Sequence, residues 1–164
     1  MPTAARIKYK NKGFWIPEEF IEVLSQYVCE AFERIGVDTF SPNLKKVYIS
    51  CDANRGGSAI GMVGIPLDRY ILNSDDKKAL ISVLQDTKTL VLSKGVELSI
   101  PVLNQFEFNK IDIAFANEWH YPIKTQSLAS TIDIVGQLLN ETWASSSHSV
   151  YFAGFPKPDN VTEI

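Results

Sequence analysis

The sequence predicts an α+β fold, a sandwich in which helices cover one face of a mostly antiparallel sheet, in the approximate order β-α-β-β-α-β-α-β. Three observations lead to this prediction. Some segments repeat apolar residues with the period of a helix, others alternate apolar and polar residues as strands do, and 164 residues with 45% hydrophobic content can form one core. We therefore expect a single globular domain over 1–155 and a frayed tail over 156–164, which is rich in proline and polar residues.

A strand and a helix are the first predicted elements. Ile7 and Tyr9 alternate with cationic residues, which predicts a short strand at the edge of a sheet. The apolar residues 14–16 then lead into a helix from Pro17 to Gly36. Proline suits the first helical position, and glycine commonly ends a helix.

Acidic residues share one face of this helix. At about 100° per residue, five polar positions fall within an arc of roughly 80°. These positions are Glu19, Glu22, Gln26, Glu30 and Glu33. Because the apolar residues lie opposite, we interpret this acidic face as the outer side of the helix, which is either solvated surface or one side of a protein interface.

The segment after this helix alternates in a way that favours β-structure. It predicts a strand over 46–52 and, with the apolar run 58–65, a β-hairpin. The alternating residues are Val47, Ile49 and Cys51. The loop over 52–57 is interpreted as an exposed hairpin tip, with a backbone nest for an anion as the alternative.

Four further elements complete the predicted order. A helix is expected over 75–94, although a hairpin over 89–100 fits the alternation there as well. Alternation predicts a strand over 108–118, helical periodicity predicts a helix over about 128–142, and a final strand is expected over 150–155.

Charge and composition narrow the classes of partner. A net charge of −3 and a pI near 5.4 give no general attraction to phosphate backbones, and no segment approaches the ~20 apolar residues of a membrane span. We therefore expect a cytosolic protein that binds neither nucleic acid nor membrane and has a protein as its partner.

Cys29 and Cys51 lack a Cys-x-x-Cys spacing and are interpreted as reduced, partly buried thiols.

Few residues are candidates for catalysis or for metal binding. His120 and His148 are far apart and have no neighbouring ligand pattern, so we expect no metal site, and no cofactor motif is present. A small enzyme could still use a cleft near His120, with Asp112 or Glu118 as the acid and Cys51 or a serine as the nucleophile. The alternative is that the aromatic neighbours of His120 anchor the end of a strand.

One segment resembles a known group of proteins. Residues 118–122, Glu-Trp-His-Tyr-Pro, followed by the apolar-periodic run 127–139, resemble the immunity proteins of bacterial polymorphic toxin and contact-dependent growth inhibition systems. The resemblance implies tight one-to-one binding of a toxin domain, often basic, whose active site becomes covered.

Under this hypothesis carboxylates attract the partner and aromatic residues hold the complex. The candidate partner-binding residues are Glu22, Glu30, Glu33, Asp52, Arg55, Glu118, Trp119, His120 and Tyr121. A small enzyme and a structural or oligomeric subunit remain the alternatives.

Overall fold

A computed structural model of the chain describes residues 3–156 and 161–164. The architecture is α+β. The strands are β1 (Ala4–Tyr9), β2 (Lys12–Pro17), β3 (Glu97–Leu98), β4 (Ile123–Lys124), β5 (His148–Tyr151) and β6 (Thr162–Glu163). The helices are α1 (Glu18–Ile35), α2 (Pro42–Gly56), α3 (Leu67–Tyr70), α4 (Ser74–Leu92), α5 (Ile100–Phe108) and α6 (Thr125–Leu139), with 3₁₀ turns at Val37–Thr39 and Ile113–Phe115.

The main sheet has the strand order β1-β2-β5-β6. β1 is antiparallel to β2, with Ile7 opposite Phe14, whereas β2 is parallel to β5 and β5 is parallel to β6. The sheet is therefore mixed rather than mostly antiparallel, while β3 and β4 form a separate antiparallel pair. β1 lies at the edge, as its cationic side chains predict, but residues 14–16 form part of a strand instead of a lead into the helix.

The core lies between this sheet and the helices. Ile7, Phe14 and Ile16 are buried on the inner face, and α1 and α6 pack against it. The helix predicted between Pro17 and Gly36 is confirmed as α1, and the N–H of Gly36 bonds to Phe32 O at its end.

The predicted strand over 46–52 and its hairpin with 58–65 are wrong, because α2 occupies most of this segment. The Ser41 hydroxyl accepts a hydrogen bond from Leu44 N at the N-terminus of the helix, and Pro42 occupies its first turn. The buried residues are spaced by three or four positions, while Ile49 is exposed. They are Leu44, Val47, Cys51 and Asn54.

The predicted strand over 108–118 is also wrong. α5 ends at Phe108, and residues 111–118 are all exposed, so the alternating apolar residues do not enter a sheet. Ser99 and Pro101 begin α5 in the same way that Ser41 and Pro42 begin α2. Both segments show that a Ser-Pro or Ser-x-Pro helix start predicts the local structure better than the alternation of apolar residues does.

The remaining predictions agree more closely with the structure. α4 confirms the helix expected over 75–94, so the alternative hairpin over 89–100 is wrong, and α6 confirms the helix expected over about 128–142. The final strand is shorter and earlier than the predicted 150–155. Of the tail over 156–164, residues 157–160 lie outside the described part, and residues 162–163 form β6, which pairs with β5.

Candidate functional site

A segment with exposed apolar side chains begins at the last residue of α5. Phe108 is 74% exposed, Ile111 94% and Ile113 70%. Asp112 Oδ1 accepts a hydrogen bond of 2.9 Å from Ala114 N, which begins the 3₁₀ turn and holds these side chains outward. Apolar side chains clustered in water have no role in the core and are typical of an interaction surface.

Beneath this segment lies a buried cluster of charges. The Lys110 ammonium pairs with Glu22 of α1 and, at 2.5 Å, with Glu107 of α5. All three side chains are buried. Because two carboxylates share one ammonium, the cluster has a net negative charge when both acids are ionised.

The same cluster fixes the exposed segment to the domain. Glu107 accepts hydrogen bonds from Trp119 Nε1 at 2.8 Å and from Asn117 N at 2.9 Å, and Lys110 Nζ donates to Phe115 O at 3.1 Å. Asn104 Oδ1 accepts from Trp119 N at 3.0 Å. The segment is thus held at both ends by polar contacts while its apolar side chains face solvent.

Carboxylates near the cluster resist ionisation. Burial raises the pKa of Glu22 to about 7, and the attraction of Lys110 only partly offsets this. Burial also raises the pKa of Glu19, and the charges of Glu18 and Glu107 act in the same direction. A cation placed beside these groups would favour their ionised forms.

Three adjoining depressions surround Asn117, which lines all of them, and we call them together the acidic depression. Their volumes are about 260, 360 and 330 Å³. Among the described residues that line them there is no lysine or arginine. The carboxylates in the lining are Glu18, Glu19, Glu22, Glu107 and Glu118.

Aromatic rings form one end of the acidic depression. Trp119 is buried and stacks on Phe20 with a centroid distance of 6.3 Å. Tyr121 is half-exposed and lies 5.5 Å from the ring of Phe155, whereas His120 points into solvent 3.9 Å from Glu118. The arrangement offers aromatic and carboxylate groups side by side.

The structure divides the sequence-predicted site residues into two groups. Glu22 and the segment from Glu118 to Tyr121 line the acidic depression, but the expected outer position of Glu22 is wrong, since it is only 8% exposed. α1 is covered on both sides by α2, α4 and the cluster around Lys110. Its acidic face is therefore not a free surface along its whole length.

The second group is neutralised within the chain. Glu33 pairs with Arg55, which also contacts Asp52 at 2.7 Å, and Glu30 pairs with Arg34 at 2.8 Å. Tyr48 donates a 2.8 Å hydrogen bond to Glu33. Because residues 52–56 belong to α2, they form neither a hairpin tip nor an anion nest.

Cys51 does not lie in the acidic depression. Its thiol is fully buried in α2, and burial raises its pKa to about 12, so it remains protonated at neutral pH. Cys29 is also a free, buried thiol, in agreement with the interpretation of both cysteines as unpaired. Asp112 is engaged as the cap of the 3₁₀ turn.

Sequence reasoning missed the exposed apolar residues and their buried support. Phe108, Ile111 and Ile113 were expected in a strand, and the pairing of Glu22 with Lys110 joins positions 88 residues apart. A local signal existed only for α5, in Ser99 and Pro101.

The function of this chain has to be inferred from its own surface, because comparisons with known proteins found no match. No protein-family model, curated protein or solved structure matches this chain. In the part of the chain that the structure describes, no three His, Cys, Asp or Glu side chains are grouped as metal ligands. Within the same residues, none of the helices combines the length and apolar character needed to cross a bilayer.

Proposed function

We propose that this chain is a non-catalytic protein-binding domain, an immunity protein that binds and neutralises a basic toxin domain. The observation that carries the proposal is the acidic depression, whose described lining has five carboxylates and no lysine or arginine, beside the exposed Phe108, Ile111 and Ile113. The resemblance of residues 118–122 and 127–139 to immunity proteins supplies the class of partner.

Charge favours a basic partner. Burial raises the pKa of Glu19 and the neighbouring carboxylates raise it further, and a lysine or arginine from a partner would favour the ionised form. Complementary charge also steers encounter, so association is faster at low ionic strength. Glu118, whose side chain is exposed, is the residue best placed to act at long range.

Apolar contacts would then hold the complex. Ile111 and Ile113 can lose their exposed area only against another molecule, and clusters of this kind are where binding energy concentrates. Because Glu107 and Lys110 already fix the segment that bears them, little ordering is left to oppose binding. Self-association through the same side chains is the competing use of this surface.

The proposal is tested by searching the genes beside this one for a basic toxin domain and by assaying protection against that domain. Each variant is produced together with that domain in a susceptible bacterium, and growth is followed. We expect the wild-type chain to restore growth, and Ile111→Asp and Glu118→Lys to restore less. With purified proteins, Glu118→Lys should lower the association rate constant by about tenfold at low salt, the size of a strong steering effect.

Two charge reversals outside the depression serve as controls. Asp86→Lys changes an exposed residue of α4, and Glu97→Lys changes an exposed residue of β3. Both should protect and associate like the wild-type chain. Protection by no chain, equal protection by all variants, or a dimer that loses its interface with Ile111→Asp would refute the proposal.

A further inference from the structure

A second depression, which meets the acidic depression at Ser58, has the opposite charge. Its volume is about 640 Å³, and it lies among β1, the end of α2, the loop over 57–66 and α3. A volume of this order is usual for sites that hold small molecules. Below we call it the cationic pocket.

Cations that form no ion pair with any described residue line the cationic pocket. They are Arg6, Lys8 and Arg69, and the Arg69 guanidinium lies 5.5 Å from the centre of the Tyr70 ring. Asp68 is the carboxylate in the lining, and it accepts a hydrogen bond from Lys10 N. Three unpaired cations around one concavity favour an anion as the occupant.

Arg6 is held in place before any ligand arrives. Its guanidinium donates a 2.6 Å hydrogen bond to Ser146 O and passes over Gly13, where a Cβ atom would lie 3.1 Å from Arg6 Nε. Nε is buried and has no hydrogen-bond partner among residues 3–156 and 161–164. A buried donor without a partner carries a cost in stability, and the charge of a nearby anion would interact favourably with this fixed guanidinium.

Apolar side chains form much of the remaining wall of the pocket. It includes Met62, Ile65 and the ring of Tyr70. Asn54 of α2 braces the loop by donating to Gly64 O at 2.9 Å and accepting from Gly64 N. The pocket therefore combines charged donors on one side with an apolar surface on the other.

We infer that the cationic pocket binds a small organic anion, with a phosphate or carboxylate group facing Arg6, Lys8 and Arg69 and an apolar body against Met62, Ile65 and Tyr70. This site adjoins the acidic depression at Ser58, which lines both, but Arg6, Lys8 and Arg69 line the cationic pocket alone. The inference holds or fails independently of the proposed toxin partner.

Phenyl phosphate is the probe, because it joins the two features in one small molecule. Its binding is compared by calorimetry and amide NMR shifts with that of inorganic phosphate, which lacks the apolar body, and phenol, which lacks the charge. We expect phenyl phosphate to bind at least about tenfold more tightly than either and to shift the amides around Lys8 and Tyr70.

Variants locate the site. Lys8→Gln and Arg69→Gln change exposed side chains and should each weaken phenyl phosphate binding by about tenfold, as loss of one charge-assisted contact does. Lys94→Gln, an exposed residue outside the pocket, should bind like the wild-type chain. Absence of binding at millimolar probe, equal binding of phenol or inorganic phosphate, or equal binding by all three variants would overturn the inference.

Discussion

Trp119 donates a hydrogen bond of 2.8 Å from Nε1 to Oε1 of Glu107, and Lys110 pairs with the other oxygen of that carboxylate at 2.5 Å. Through these contacts one buried acid joins the aromatic end of the acidic depression to the charge cluster beneath it. The buried charge cluster around Lys110 therefore fixes the position of the aromatic end of the acidic depression, in addition to forming part of the protein interior.

Replacement of Lys110 by methionine should be strongly destabilising. The variant leaves Glu22 and Glu107 buried without their shared cation, a change that costs about 3–5 kcal/mol in other buried ion pairs. The free energy of unfolding is measured by urea denaturation. The control is Lys88→Met, which breaks a half-exposed pair with Asp133 and should cost at most about 1 kcal/mol. Equal effects of the two substitutions would show that the cluster is not essential to the fold.

The pH dependence of the free energy of unfolding should reveal the raised pKa of Glu22. Its pKa is about 7 in the folded chain against an ordinary 4.5, so between these values the folded state holds the extra proton. The contribution of Glu22 is complete below pH 4.5 and is lost as the pH rises through about 7. The unfolding free energy of the wild-type chain should thus fall relative to that of Glu22→Gln across this window, measured by urea titrations at several pH values.

Glu33→Gln provides the contrast for this experiment. Hydrogen bonds from Arg55 hold the pKa of Glu33 below its ordinary 4.5, so its stabilising contribution is present above that pH and is lost on further acidification. This variant should follow the wild-type slope above pH 4.5 and depart from it only below. Parallel curves for Glu22→Gln and the wild-type chain between pH 4.5 and 7 would contradict the raised pKa.

The exposed apolar side chains should be dispensable for folding. Ile111→Ser and Ile113→Ser remove area that is already in water, so each should change the free energy of unfolding by no more than about 0.5 kcal/mol. Leu103→Ala, in the buried side of the adjacent α5, should cost about 2–5 kcal/mol. Thermal and urea unfolding distinguish the two cases, and a large loss with Ile111→Ser would mean that the segment is structural.

Local pattern was sufficient for some elements and misleading for others. In α1, α4 and α6 the apolar residues repeat with the helical period over four turns or more, and strands cannot reproduce that pattern. In α2, by contrast, Val47, Ile49 and Cys51 satisfy alternation while Val47 and Cys51 also satisfy helical spacing. Only the Ser41-Pro42 start distinguishes the two structures.

The candidate site was predictable where its residues are consecutive. Glu118, Trp119 and Tyr121 stand together in the sequence, so their clustering needed no knowledge of the fold. The buried state of Glu22 depends on Lys110, which only the packing of α5 against α1 brings near. Charge on a helix face does not reveal whether another part of the chain covers that face.

Two glycines with opposite surroundings give a further test of the packing. Gly13 lies in β2, where an added Cβ would be 2.6 Å from Ile7 O and would meet the Arg6 side chain. Since backbone of the paired strand cannot yield cheaply, Gly13→Ala should destabilise the chain by about 1–3 kcal/mol, as overpacking usually does.

Gly136 lies in α6 with open space where a Cβ would be placed. Gly136→Ala should therefore stabilise the chain by about 0.5–1 kcal/mol, because alanine loses less backbone entropy in a helix. Urea denaturation of both variants should show a lower free energy of unfolding for Gly13→Ala and a higher one for Gly136→Ala. If Gly13→Ala were neutral, β1 would have to lie farther from β2 than their register requires, and the fixed position of Arg6 over Gly13 would be lost with it.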